Sequence, residues 1–152
     1  MKLDHFNIVT RDMARAVAFY RDLLGFEQTF ETTLEGEWIE HVTGLSGVRA
    51  HCIFLQLPGM DVRLELLQYL APSGEEFSEN AQPHTIGLRH LAWETSELDA
   101  LSNRLREAGM VFVSAPVEVP FPVGPQGLKK RLCYFRDPDG VLLELAEYSQ
   151  RA

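Results

Sequence analysis

Val62-Arg63-Leu64-Glu65-Leu66-Leu67-Gln68-Tyr69 and, 79 residues later, Val141-Leu142-Leu143-Glu144-Leu145-Ala146-Glu147-Tyr148 share Val, Leu, Glu, Leu and Tyr at the same relative positions. Each run has the length and apolar content of a strand, and each carries one glutamate at its centre. With a period of two, Glu65 shares a face with Arg63 and Leu67, and Glu144 shares one with Leu142 and Ala146. A carboxylate inside so apolar a strand is costly to desolvate unless it is paired or bound to a metal. Two such carboxylates in matching runs call for one explanation.

The match extends outward from these runs. Leu3-Asp4-His5-Phe6-Asn7-Ile8-Val9-Thr10 is similar to Leu88-Arg89-His90-Leu91-Ala92-Trp93-Glu94-Thr95, with the histidines 85 residues apart. Each of these runs leads into a helical pattern that a glycine closes, Leu24-Gly25 in the first copy and Ala108-Gly109 in the second. Two offsets so similar, in the same order, mean two copies of one unit whose first strand bears a His and whose last bears a Glu.

Within the units, residues 3–9 read as a strand, and Ala14, Val17, Ala18 and Leu24 recur at helical spacing with Phe19 and Tyr20 between them. In the second copy Ser96 and Asp99 suggest a capping box ahead of Leu98, Leu101 and Leu105. Strands are expected at 27–33, 50–57 and 62–69, and again at 111–113, 131–136 and 141–148. Asp137-Pro138-Asp139-Gly140 between the last two is hairpin chemistry. Residues 114–128 contain Pro116, Pro120, Pro122 and Pro125 with Gly124 and Gly127, too many breakers for a regular element, and form a candidate lid.

The fold expected is therefore α+β: two tandem βαβββ modules forming a curled, partly open mixed sheet around a metal site. The 152 residues are read as a single domain, with module one at about 1–70, a linker at about 71–85 that holds a possible short helix from Glu75 to Ala81, and module two at about 86–149.

Composition narrows the function classes. Hydrophobic residues make up 45% and charged residues 24%, which is ordinary globular usage, and the formal net charge of −8 repels phosphate backbones and anionic lipid. Neither nucleic acid nor a membrane is an expected partner. No apolar run approaches a membrane span and the N-terminus lacks a signal-peptide core, so a cytoplasmic location is expected. Cys52 and Cys133 lie in apolar runs and read as small packed hydrophobes.

His5, Glu65, His90 and Glu144 form a borderline to hard donor set suited to Zn, Ni, Co, Mn or Fe, with positions left for water or substrate. His51, alternating with Cys52 and Phe54, and Arg131 are candidate substrate-binding residues. For His51 packing is the commoner role. Lys129, Lys130 and Arg131 beside the proline-rich loop are placed to receive an anionic substrate tail, although a solvated basic turn is the commoner explanation. His41 and His84 read as solvated, and Trp38 and Trp93 as core or pocket wall.

The His5 strand, the Phe19-Tyr20-Arg21-Asp22-Leu23-Leu24-Gly25-Phe26 run, the Glu65 and His90 strands, and Phe135-Arg136-Asp137-Pro138-Asp139-Gly140 leading to Glu144 together carry a family resemblance. The chain resembles the vicinal oxygen chelate superfamily of glyoxalase I, methylmalonyl-CoA epimerase, extradiol dioxygenases and the fosfomycin and bleomycin resistance proteins. That resemblance implies one divalent metal ion, and a glyoxalase-like lyase or isomerase working through an enediolate that bidentate metal chelation stabilises. Glu65 or Glu144 would act as the catalytic proton carrier.

The alternatives are an epimerase of the methylmalonyl-CoA type, an extradiol-type dioxygenase, and a metal-free small-molecule binding protein of the drug-resistance kind. Val42-Thr43-Gly44-Leu45-Ser46-Gly47-Val48 lacks the glutamate that serves the epimerase as a separate base, and Leu66-Leu67-Gln68-Tyr69-Leu70 lacks the asparagine by which glyoxalase I helps hold glutathione. Family members are commonly homodimers, with the four ligands drawn from one chain or from two.

Overall fold

The computed structural model describes residues 2–75 and 82–150. Two compact units divide the chain, Met1–Glu76 and Phe77–Ala152, and the division falls inside the expected linker. Most of the possible helix from Glu75 to Ala81 lies outside the described residues. Among the described residues, no helix is long and apolar enough to cross a membrane.

The first unit runs β1 (His5–Val9), α1 (Met13–Ala18), a π-helical turn (Phe19–Leu23), β2 (Glu27–Glu35), α2 (Glu37–Thr43), β3 (Arg49–Gln56) and β4 (Arg63–Ala71). Its sheet has the order β1-β4-β3-β2, with β1 parallel to β4 and the other neighbours antiparallel. Asp12 caps α1 by accepting the Arg15 backbone N–H at 3.0 Å. The helix lays Met13, Ala16 and Val17 inward, where Leu55, Leu64 and Leu66 are also buried. Tyr20 is fully buried and meets Phe26 edge to face, 5.6 Å between centroids. Gly25, at φ 79°, makes the left-handed turn from the helix into β2.

The second unit repeats the plan with β5 (His90–Glu94), α3 (Leu98–Glu107), β6 (Val117–Glu118), β7 (Lys129–Arg136) and β8 (Leu142–Ser149), in the order β5-β8-β7-β6. Each sheet is mixed, and the fold is α+β built from two repeated modules. Leu98 and Leu105 of α3 and Phe135, Leu143 and Leu145 of the strands are buried. Phe112 stacks on Phe135 at 5.1 Å.

Three local expectations need correction. Residues 111–113 do not form a strand: Phe112 makes an isolated bridge to Phe135, and the short edge strand is β6, inside the stretch expected to lack regular structure. Proline spacing hid this, because two residues free of proline are enough to pair with Arg131 and Leu132. Ser96 is not the cap of α3. Glu97 holds that position with no side-chain cap bond, and the Leu98 N–H is taken by the Glu147 carboxylate from β8 at 3.3 Å. Helix α2 was not foreseen, since it offers a single buried residue, Ile39, and so has no periodic apolar face.

The β7–β8 turn delivers Glu144 to its position, and Asp137 organises it. The buried Asp137 accepts the backbone N–H groups of Asp139 at 2.9 Å and Val141 at 2.8 Å through one carboxylate oxygen, while Gly140 supplies φ 88°. Replacing Asp137 with alanine strips the acceptor from both donors and should cost about 1–3 kcal/mol, with asparagine retaining most of it. Urea midpoints measure the loss, and an alanine variant as stable as wild type would contradict this role.

Candidate metal centre

Strand pairing decides which side chains share a face. Asn7 of β1 lies beside Glu65 of β4, and Ala92 of β5 lies beside Glu144 of β8, so in both units the histidine stands two residues before the glutamate's partner. The outcome is the same twice over. His5 Nε2 is 3.4 Å from Glu65 Oε2, and His90 Nε2 is 3.4 Å from Glu144 Oε2. The four expected ligands therefore form two His–Glu pairs, one in each unit. Among the described residues, no group of three or more His, Cys, Asp or Glu side chains is gathered as a metal site.

The donor chemistry suits a divalent ion. Two ligands bonded at about 2.0–2.2 Å to one ion stand roughly 3.0–3.5 Å apart, and 3.4 Å lies within that span. In the first unit His5 Nδ1 meets the Asp4 carboxylate at 2.7 Å, an outer contact that aims Nε2 at Glu65. Arg63 Nη2 donates to the same Asp4 oxygen at 2.6 Å. The bond from His5, then that from Arg63, holds the Asp4 carboxyl below its ordinary range. Glu65 Oε2 also accepts Asn7 Nδ2 at 2.9 Å, and among the described residues Glu65 Oε1 has only the weak Cys52 thiol donor at 3.6 Å. Burial, then the Glu65 charge, pushes that thiol up to about 12, so it stays protonated and inert.

The second pair has different surroundings. Glu144 is almost fully buried, and its Oε1 accepts Lys130 Nζ at 2.6 Å. Burial acts against the Lys130 charge, but the Glu144 and Tyr148 contacts outweigh it and leave the ammonium with a raised pKa. Tyr134, directly across from Glu144 on β7, packs on His90 at 5.1 Å between centroids, and burial followed by the Glu144 charge raises its phenol. Phe54 holds the matching place in the first unit, opposite Glu65 and edge to face with His5 at 5.5 Å.

The structure does not bring His51 or Arg131 to the pairs. His51 lies opposite Gln68 and Arg131 opposite Glu147, each one residue out of phase with the glutamate face. His51 Nε2 meets Glu31 at 2.8 Å beside a groove of about 530 Å³ that Met13, Val17 and Gln68 help to line. Arg131 forks onto Asp99 of α3 at 2.8 and 2.9 Å and reaches Glu147 at 3.2 Å, which holds the Asp99 carboxyl low. Both side chains tie a strand to neighbouring elements.

Sequence reasoning missed Asp4, Asn7, Phe54 and Tyr134, and weighed Lys130 only as part of a basic run. Alternation along β7 carried the signal for two of them. Lys130, Leu132, Tyr134 and Arg136 fall on one face, which leaves Arg131 on the other.

Comparison with known proteins shows the family and the fold. A family model described as the Glyoxalase/Bleomycin resistance protein/Dioxygenase superfamily matches residues 2–145. The chain is 30% identical over 146 residues to the uncharacterized protein YaeR of Escherichia coli (strain K12), covering 96% of this chain and 95% of that one. It is 30% identical over 145 residues to the uncharacterized protein YwkD of Bacillus subtilis (strain 168), covering 95% of each. Among solved structures, a glyoxalase family protein from Bacillus cereus superposes with a TM-score of 0.85 at 26% identity, covering 97% of this chain and 94% of that one.

Proposed function

The chain belongs to the Glyoxalase/Bleomycin resistance protein/Dioxygenase superfamily, and from that premise we propose that it is a divalent-metal-dependent lyase or isomerase of the glyoxalase type, acting on a small oxygen-rich molecule in the cytoplasm. His5, Glu65, His90 and Glu144 are its metal ligands. The observation that supports this is the repeated pair: two histidines and two glutamates, in identical strand register, with the same 3.4 Å between facing donor atoms. A structural role would not require both units to reproduce that geometry. Each unit supplies two donors, so a full set takes two units, from one chain or from two copies in a homodimer.

A bound divalent ion supplies the positive charge that stabilises an oxyanion on a chelating substrate. The remaining work falls to the chain. His5 and His90 present Nε2, and Asp4 fixes the orientation of His5. Glu144 stays anchored through Oε1 to Lys130, whereas Glu65 Oε1 has no partner of comparable strength. Glu65 is thus the carboxylate free to take a proton from a carbon beside a carbonyl and to return it. Phe54 and Tyr134 wall the two pairs.

The test is solvent exchange. Metal-loaded protein in deuterium oxide, offered 2-oxoaldehyde–thiol adducts and 2-methyl acyl-CoA esters, should place deuterium at the carbon beside the carbonyl, and Glu65→Gln should stop it. Oxygen consumption with bound iron and no deuterium incorporation would instead favour ring-cleaving chemistry. Tight binding of a small molecule by protein that takes up no metal would favour the binder.

A further inference from the structure

The two units close the corner between their first helix and their sheet in different ways. Gln68 accepts the Met13 N–H at the start of α1 at 3.3 Å, and Glu147 accepts the Leu98 N–H at the start of α3 at 3.3 Å. Across the ladders Gln68 lies opposite His51, and Glu147 lies opposite Arg131. Ala14 is therefore the counterpart of Asp99, and His51 the counterpart of Arg131. In the second unit Arg131 forks onto Asp99 and straps helix to sheet. In the first unit Ala14 offers no acceptor, His51 bonds to Glu31 of β2, and the corner stays open as the groove of about 530 Å³.

The lining of this groove is one-sided in its chemistry. Buried Met13, Val17 and Ile53 contribute apolar surface. The bond from His51, then that from Gln28, holds the Glu31 carboxyl below its ordinary range, so Glu31 is an ionised acceptor and His51 Nε2 is the donor. In the neutral ring that leaves Nδ1 as an acceptor, and Gln28, having given Nε2 to Glu31, keeps its Oε1. Neither atom has a partner among the described residues. Asp12 adds a second carboxylate, whereas the Arg21 guanidinium on the same lining is paired with Asp22 at 2.7 Å. We propose that this groove, on the face of the first sheet opposite to Glu65, is a binding site for an organic ammonium with an apolar body. The head group donates to Glu31, Gln28 and His51, and the body covers Met13, Val17 and Ile53. An anion would meet two carboxylates, and an alcohol matches the acceptors without the charge. The site needs no metal ion and stands apart from the four-ligand reading.

Amide NMR titration of the whole chain, with no metal added, against benzylamine, benzyl alcohol and benzoate tests this, because the three share a ring and differ in head group. Benzylammonium should shift the Met13, Val17, Gln28 and His51 amides saturably and bind about tenfold more tightly than the alcohol, with benzoate inert. Glu31→Gln should erase most of that preference and leave binding of the alcohol as it was. The double variant Ala14→Asp with His51→Arg installs the strap of the second unit and should abolish binding of both. An ammonium no tighter than the alcohol, or a preference that survives Glu31→Gln, would overturn the ligand class and the proposal with it. Saturable shifts confined to Asn7 and Phe54 would put the ligand on the Glu65 face, and no saturable shift in the wild-type chain would overturn the site outright. Either result leaves the four-ligand reading standing, since no metal takes part.

Discussion

Replacing His90 with alanine should abolish retention of a divalent ion through dialysis while leaving the protein folded. In the proposed metal site the imidazole is a ligand, and its removal should weaken affinity well beyond the roughly 10–100-fold that follows loss of an outer contact. Its structural cost should be small, because the side chain is about a third exposed and its ring contact with Tyr134 is the main packing it gives up. Glu144→Gln should lose the ion equally. That variant also removes the counter-charge of Lys130, leaving its largely buried ammonium with neutral partners, and a stability loss of about 1–3 kcal/mol should accompany it. Elemental analysis after dialysis, run beside urea denaturation, separates the two effects. Wild-type metal content in either variant would mean that these side chains are not ligands.

The second large effect concerns packing. Phe135 is fully buried, pairs with Leu143 across the β7–β8 ladder and stacks on Phe112. Its truncation to alanine removes a whole ring from close-packed surroundings and should cost about 3–5 kcal/mol. It lies beside Tyr134, on the opposite face from Glu144, so the same change should displace the hairpin that positions the glutamate and weaken metal binding as well. Urea midpoints for Phe135→Ala and for the milder Phe135→Leu give the comparison. A loss below about 1 kcal/mol in the alanine variant would show that this face is not tightly packed.

The parts of this structure that a period and a repeat can encode were legible in the sequence. Glu65 and Glu144 stood out because a charge in an apolar strand is improbable, and His5 and His90 because they recur at a nearly equal offset. The Asp137-Pro138-Asp139-Gly140 turn was legible from its residues alone. Where the signal was local and aperiodic, reading failed. Helix α2 buries only Ile39, and β6 is two residues long, shorter than any period that could announce it.

The substrate-binding candidates show a subtler limit. His51 was picked as a polar residue on a probable central strand and Arg131 as part of a basic run beside the proline-rich loop, and register places both one residue off the glutamate face. Pairing with β8 decides the phase of β7, which begins at Lys129, two residues before the point that apolar content marked, so Lys130 lies within the strand and on the face of Tyr134. That phase brings Lys130, and not Arg131, to Glu144. The roles of Asp4 and Arg63 were hidden for another reason, since Asp4 contacts His5 from the next residue and Arg63 reaches it through Asp4.

Metal stoichiometry of the unaltered chain tests the account most directly. Protein stripped with a chelator, reconstituted with Co²⁺ and dialysed should hold one ion per chain, and the bound ion should be lost when His5 and His90 are both replaced by alanine. A wild-type chain that holds none, or a double variant that still holds one, would contradict the claim that the two His–Glu pairs together form a metal site.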